Sequence, residues 1–126
     1  MSKANSSVKV LRTALKRVDE GWTQHEWHRY EHGTKKHYVC LEGAIVGFCK
    51  PGEHEITRAQ QEAMNVCRQI IWEKTGQTEI PTYNDEPGRT KEEIKELIKL
   101  GIIRLETDDE TDYTLEDFIP RQVNGS

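Results

Sequence analysis

A chain of 126 residues, 34% of them hydrophobic and with a formal net charge of −4, is long enough for one domain with a core of its own and too polar for more. No apolar run approaches the roughly 20 residues that a membrane helix needs, and the first residues lack the apolar stretch of a secretory signal, so the expectation is a cytoplasmic protein without membrane contact. Cys40, Cys49 and Cys67 are odd in number and form no Cys-x-x-Cys pair, which argues against a disulfide framework and a thiolate zinc site.

In chain order, Ser6 or Ser7 is placed to cap a first helix to about residue 19, with Val10, Leu11, Ala14, Leu15 and Val18 on one face and Lys9, Arg12, Lys16 and Arg17 on the other. Gly21 interrupts that period, and residues 22–36 read as a long irregular loop rich in aromatics and histidine. Over residues 37–49, Tyr38, Leu41, Ala44, Ile45 and Phe48 line a face beside the small Gly43 and Gly47, which predicts a central helix ended by Lys50-Pro51-Gly52. Thr57 and Gln60 form a capping box for a helix over 58–74, with Ala63, Val66, Cys67, Ile70 and Ile71 at helical spacing. Ile80-Pro81-Thr82-Tyr83 reads as extended, because proline disfavours the helical region for its predecessor, and has room for a short edge strand.

A turn-rich run then follows, from Tyr83 through Asn84, Asp85, Glu86, Pro87 and Gly88 to Arg89 and Thr90. Thr90 and Glu93 form a second capping box, so a helix runs over about 91–104 with Ile94, Leu97, Ile98, Ile102 and Leu105 inward and Gly101 near a fraying end. Residues 1–50 carry nine Lys or Arg against five acids, whereas residues 106–117 carry seven acids and no base. Within that acidic stretch Tyr113, Leu115, Phe118 and Ile119 supply apolar surface for one more short helix capped by Thr114. The fold class is therefore mainly α: a single compact bundle of about four helices over residues 1–105 around Ala44, Ile45, Val66, Ile70, Leu97 and Ile98. An acidic C-terminal segment over 106–126 completes it.

Three stretches share their order and spacing with a small uncharacterised domain family of actinobacteria and their phages. They are Gly21-Trp22-Thr23-Gln24, Cys40-Leu41-Glu42-Gly43-Ala44-Ile45 and the run from Tyr83 to Thr90. The chain resembles that family over residues 8–105, departing from it at Tyr38, Val39, Tyr83 and His25, where the family prefers other residues. The resemblance implies a phage or prophage setting and brings no assigned activity; with the reading of the residues below, the expected partner is a host or phage protein.

The residues themselves allow several chemistries. A thiol hydrolase would use Cys40 as nucleophile, one of His28, His32, His37 or His54 as base, and Asn84 or Asp85 to orient it. A metal site would draw on His25, His28, His32 and His37, since a His-x-x-His step on a helical turn puts two imidazoles on one side. A nucleic-acid surface would combine Lys9, Arg12, Lys16, Arg17, Arg29, Lys35 and Lys36 with Trp22, Trp27 and Tyr30, against the opposition of the acidic segment. The reading that asks least of the sequence is a binding or regulatory module without cofactor or metal. It would act on a protein partner through Trp22, Gln24, Trp27, Tyr30, Tyr83, Asn84, Asp85 and Arg89. For Asn84, Asp85 and Arg89 a purely structural part, holding the turn that opens the last helix, is expected from their residue types.

Overall fold

The computed structural model describes residues 3–47 and 56–107. In order they form α1 (Lys3–Glu20), β1 (His28–Glu31), β2 (Lys36–Val39), α2 (Leu41–Val46), α3 (Arg58–Thr75), α4 (Ile80–Asp85) and α5 (Lys91–Thr107). The architecture is mainly helical with one two-stranded antiparallel sheet. Among the described residues no helix is long and apolar enough to cross a membrane.

The central element is α1, not the helix expected over 37–49. It makes its most extensive contact with α5 and also packs on α3, α2 and β2. Val8, Leu11, Ala14 and Val18 form its buried stripe. The helix starts at Lys3, so Ser6 and Ser7 lie within it and do not cap it, and Ser7 is completely buried. Asp19 meets Lys95 at 2.7 Å while Arg12 meets Glu106 at 2.7 Å, so α1 and α5 run antiparallel. Ala44, Ile45, Val66, Ile70, Leu97 and Ile98, the expected core, are all buried.

Residues 36–46 divide into a strand, a cap and a short helix. In the hairpin His28 opposes Val39, Arg29 opposes Tyr38, Tyr30 opposes His37 and Glu31 opposes Lys36. The free edge of β2 is also occupied, since Val39 donates to the Gly21 carbonyl at 3.1 Å and accepts from the Thr23 amide at 3.0 Å. Those loop partners take the backbone groups that a continuous helix would have paired internally. Cys40 then adopts an extended conformation, and its sulfur accepts the Gly43 N–H at 3.3 Å, capping α2. Phe48, Cys49 and Lys50-Pro51-Gly52 fall outside the described residues. The long loop over 22–36 is thus half hairpin.

Residues 80–83 are helical, not an edge strand. Pro81 stands in the first turn of α4, where its missing N–H leaves no hydrogen bond unmade, and Glu79 carries the extended conformation. Both capping boxes form. Thr57 and Gln60 exchange bonds of 2.9 and 3.1 Å, and Thr90 and Glu93 exchange bonds of 3.0 and 3.1 Å. The α3 helix ends on Gly76 in the left-handed region, its amide bonded to the Trp72 carbonyl.

Two glycines mark close approaches inside helices. Gly101 lies within α5 rather than at a fraying end, and a Cβ there would stand 2.9 Å from Leu11 Cδ1 on α1. A Cβ at Gly43 would stand 2.6 Å from the Trp27 carbonyl oxygen, so the residue just before β1 comes close to α2 there. The obstacles differ in kind. The tip of a leucine can turn aside, whereas the Trp27 carbonyl is itself bonded to the Cys40 amide at 3.1 Å. Gly43→Ala is therefore expected to lower stability by about 1–3 kcal/mol through overpacking. Gly101→Ala should stay within about 1 kcal/mol of wild type, because the helix-propensity gain offsets the shift of Leu11. Denaturant melts of the two variants check this, and a Gly43→Ala chain as stable as wild type would refute it.

Candidate functional site

Six residues of α4 end on Asn84 and Asp85, which face back toward the segment entering the hairpin. Asn84 is 1% exposed, so each of its polar valences has to be met inside the protein. All four are. Its Oδ1 accepts Trp22 Nε1 at 2.8 Å and the Leu41 amide at 2.9 Å. Its Nδ2 donates to the Thr23 carbonyl at 3.1 Å and to Asp85 Oδ1 at 3.0 Å. These bonds also fix which end of the amide is oxygen, because the two donors and the acceptors around it can be matched in one orientation only.

Neighbouring side chains extend the network. Asp85 Oδ1 accepts the His25 amide at 2.8 Å, across 60 residues of sequence, holding His25 at a positive φ of 67°. Gln24 Nε2 donates to the carbonyls of Asn84 at 2.9 Å and Glu86 at 3.0 Å, satisfying backbone oxygens at the end of α4. Trp22, Gln24, Asn84 and Asp85 from the expected binding set are thus one connected structure.

Tyr83 and Arg89 form a second one. The guanidinium lies 3.7 Å from the centre of the Tyr83 ring, and Nε donates to the Tyr83 carbonyl at 2.9 Å. The contact of Arg89 with a carboxylate is the longer one, 3.6 Å to Glu93. With Ile71, Thr75, Gln77 and Glu86 the pair lines a cavity of about 210 Å³. Burial raises the Tyr83 hydroxyl above its ordinary pKa, against the smaller opposing effect of Arg89.

A separate cleft of about 150 Å³ gathers Glu26, Trp27, Cys40, Glu42, Asn84 and Asp85. Of the residues named for thiol chemistry it holds Cys40, Asn84 and Asp85, and no histidine lines it. His37 stands in β2 with its ring 5.0 Å from Tyr30 and 5.6 Å from His28. His54 lies outside the described residues. Within the cleft, burial pushes the Cys40 thiol above its ordinary pKa, outweighing the Gly43 N–H that favours the thiolate, and nearby Glu42 raises it further. Burial likewise raises Glu42, with Arg68 opposing. Cys67 is fully enclosed in α3, its pKa pushed up to about 12 by burial.

His28 and His37 are ring neighbours, but the described histidines do not gather into one site. His25 faces Asp85, with Nδ1 3.9 Å from Oδ2, while His32 stacks edge-on against Tyr30 at 4.9 Å. Among the described residues no group of three His, Cys, Asp or Glu is placed to hold a metal ion. Arg29 of the hairpin is engaged locally: it meets Glu26 and Glu31 at 2.8 Å each and lies 4.4 Å from the centre of the Tyr38 ring. Trp27 is half-buried, and its indole N–H is enclosed without a hydrogen-bond partner. Tyr30 is 41% exposed. The cleft residues Glu26, Glu42 and Pro81 carry no signal in the sequence, since only the folded hairpin brings them beside α4.

Removing the Asn84 amide strands the Leu41 and Trp22 N–H groups, at about 1–3 kcal/mol each, so Asn84→Ala should cost roughly 3 kcal/mol or more. Asp85→Ala, which leaves only partly buried donors unpaired, should cost about 1–2 kcal/mol. Asn84→Asp keeps both acceptor bonds but sets a carboxylate against the Thr23 carbonyl and the Asp85 carboxylate. Its deficit should be larger at neutral pH than below the carboxylate range, where the introduced acid is protonated and can donate. Urea titrations at two pH values test all three, and wild-type stability in Asn84→Ala would remove Asn84 from its structural place.

No curated protein and no solved structure matches this chain. A family model does match, over residues 3–102, a span that contains all three motif stretches together with α1 and most of α5. The chain belongs to the Family of unknown function (DUF6197).

Proposed function

We propose that this protein is a binding module without catalytic chemistry of its own, which holds a protein partner through the outer surface of the hairpin with Tyr30 as anchor. The observation that carries the reading is the state of Tyr30. Its ring is 41% exposed yet braced edge-on by His32 at 4.9 Å and His37 at 5.0 Å. An aromatic already held in place loses little conformational freedom on binding, which is what an interface anchor requires. The hairpin is anchored to the body of the protein at its entry, where the Trp27 carbonyl accepts the Cys40 amide at 3.1 Å. Resemblance to proteins of actinobacteria and their phages suggests a host or phage protein as the partner and the host cytoplasm as the place.

What argues against the rivals is equally local. A Cys40 hydrolase needs a thiol whose pKa is lowered, and here burial raises it, while the Asn84 amide that would orient a base already has four partners. A nucleic-acid surface needs cations available to phosphate, and Arg29 and Arg12 are both in ion pairs with carboxylates.

The test is affinity capture from host extract with wild type, Tyr30→Ala and Cys40→Ser side by side, together with the rate of Cys40 alkylation. The expected outcome is one specific partner, lost at least about tenfold in Tyr30→Ala at unchanged melting temperature and retained by Cys40→Ser. Fast alkylation of Cys40 near neutral pH, with loss of biological effect but not of binding in Cys40→Ser, would replace this reading by the hydrolase.

A further inference from the structure

The cavity of about 210 Å³ beside Tyr83 and Arg89 lies where α3 ends, α4 turns and the chain approaches α5, and none of its lining residues belongs to the hairpin. Ile71, 1% exposed, gives it an apolar wall. Two polar side chains on the same wall are held mostly out of water with hydrogen-bonding capacity unused. Tyr83 is 7% exposed, and among the described residues its hydroxyl has no hydrogen-bond partner. Burial keeps that hydroxyl protonated at neutral pH and therefore able to donate. The Arg89 side chain is 15% exposed. Its Nε is bonded to the Tyr83 carbonyl at 2.9 Å, but its terminal nitrogens have no comparable acceptor among the described residues. Glu93 Oε1 stands 3.6 Å from Nη1 and is already taken by the Thr90 amide at 3.0 Å. Buried donors are ordinarily paired, so two such side chains on one cavity wall mark a place that an outside acceptor completes.

A second observation concerns charge. Glu86 lines the same cavity, yet among the described residues it forms no ion pair, either with Arg89 or with another cation. Opposite charges that share a cavity without closing on each other leave space for a ligand that carries both complements.

We propose that this cavity binds a small α-amino acid as its zwitterion, with the carboxylate on the terminal nitrogens of Arg89 and the Tyr83 hydroxyl, the ammonium toward Glu86, and a short apolar side chain on Ile71. A carboxylate matches the planar fork of a guanidinium, which can hold both of its oxygens at once. The zwitterion suits a wall with one cation and one anion, whereas a phosphate dianion would meet Glu86 and Glu93 as like charges. Size agrees: the volume lies below the roughly 300–1,000 Å³ of pockets for drug-sized ligands, which limits the occupant to a small molecule. Gln77, exposed on the same wall, adds a side-chain amide within the cavity. The site shares no residue with the Tyr30 surface, so the two readings fail separately, and Tyr30→Ala should leave amino-acid binding unchanged.

The experiment is a nuclear magnetic resonance titration of the isotope-labelled full chain, followed at the Arg89 Nε–H signal. The ligands are L-valine, isovalerate, which lacks the ammonium, valinamide, which lacks the carboxylate, and inorganic phosphate. L-valine is expected to shift the signal saturably with a dissociation constant on the order of millimolar or below, and the other three to bind at least about tenfold more weakly. Tyr83→Phe keeps the ring beside Arg89 and removes only the hydroxyl, so it should melt as wild type does and bind L-valine about tenfold more weakly. Glu86→Gln, at an exposed position, should fold normally and bring L-valine and isovalerate to equal affinity. No saturable shift with L-valine, or binding that Tyr83→Phe and Glu86→Gln both leave unchanged, would overturn the proposal. So would isovalerate binding as tightly as L-valine to wild type, which would assign the cavity to a plain carboxylate, or tighter binding of phosphate.

Discussion

A single buried primary amide sets the arrangement on which the rest of this structure depends. Asn84 offers two donors and two acceptor sites, and at 1% exposure none of them can be left to water. Its four partners come from Trp22, Thr23, Leu41 and Asp85, so one side chain on α4 fixes the entry to the hairpin and the first residue of α2 at once. Hydrophobic packing could hold these segments near one another, but it is non-directional and would tolerate sliding. The amide does not tolerate it: a shift of an ångström would strand a buried N–H or carbonyl, at a cost comparable with a sizeable fraction of a domain's net stability.

Once that point is fixed, the neighbouring features follow from it. Leu41 is held at its amide by Asn84, and Cys40 caps α2 through its sulfur, so a helix of only six residues has its first turn satisfied from two sides. At the other end Arg17 on α1 donates to the Ala44 carbonyl at 2.9 Å. A helix this short would not persist alone, and it persists here because both its ends are bonded to other elements. The same logic explains the glycine at position 43, where the carbonyl of Trp27 must pass close to α2 to reach the Cys40 amide.

How much of this could be read beforehand depends on the distance over which each instruction acts. The starts of α3 and α5 are written in residues three apart, Thr57 with Gln60 and Thr90 with Glu93, and both helices stand where those signals put them. The stripe of α1 was legible for the same reason. Of the helix expected over 37–49, residues 41–46 are helical and residues 37–39 are strand, because Tyr38 falls at helical spacing with Leu41 and Ile45 while the facts that decide the matter are a partner strand without apolar alternation and the link from Gly21 to Val39. Pro81 misled in the opposite sense: it restrains Ile80 but is at home in a first turn. At the site, the residue types of Asn84 and Asp85 point to bonds with backbone amides, and the amides of Leu41 and His25 are bonded to them. Which backbone was not legible, since Asp85 reaches residue 25 rather than the start of α5, and Arg89 reaches back to Tyr83.

This division bears on where function can reside. A buried amide whose four valences are engaged internally, as are those of Asn84, has little left with which to recognise a ligand, because each new bond would first have to break an existing one. The hairpin differs. Its polar pairs, Arg29 with Glu26 and Glu31, lie at the surface, where such bonds exchange with water at small cost. Tyr30 is held by ring contacts that a partner need not disrupt. Under the binding reading proposed above, the network of α4 is the base from which the hairpin is presented, and substitutions in the two regions should have opposite signatures: loss of folding in the first, and loss of association with folding preserved in the second.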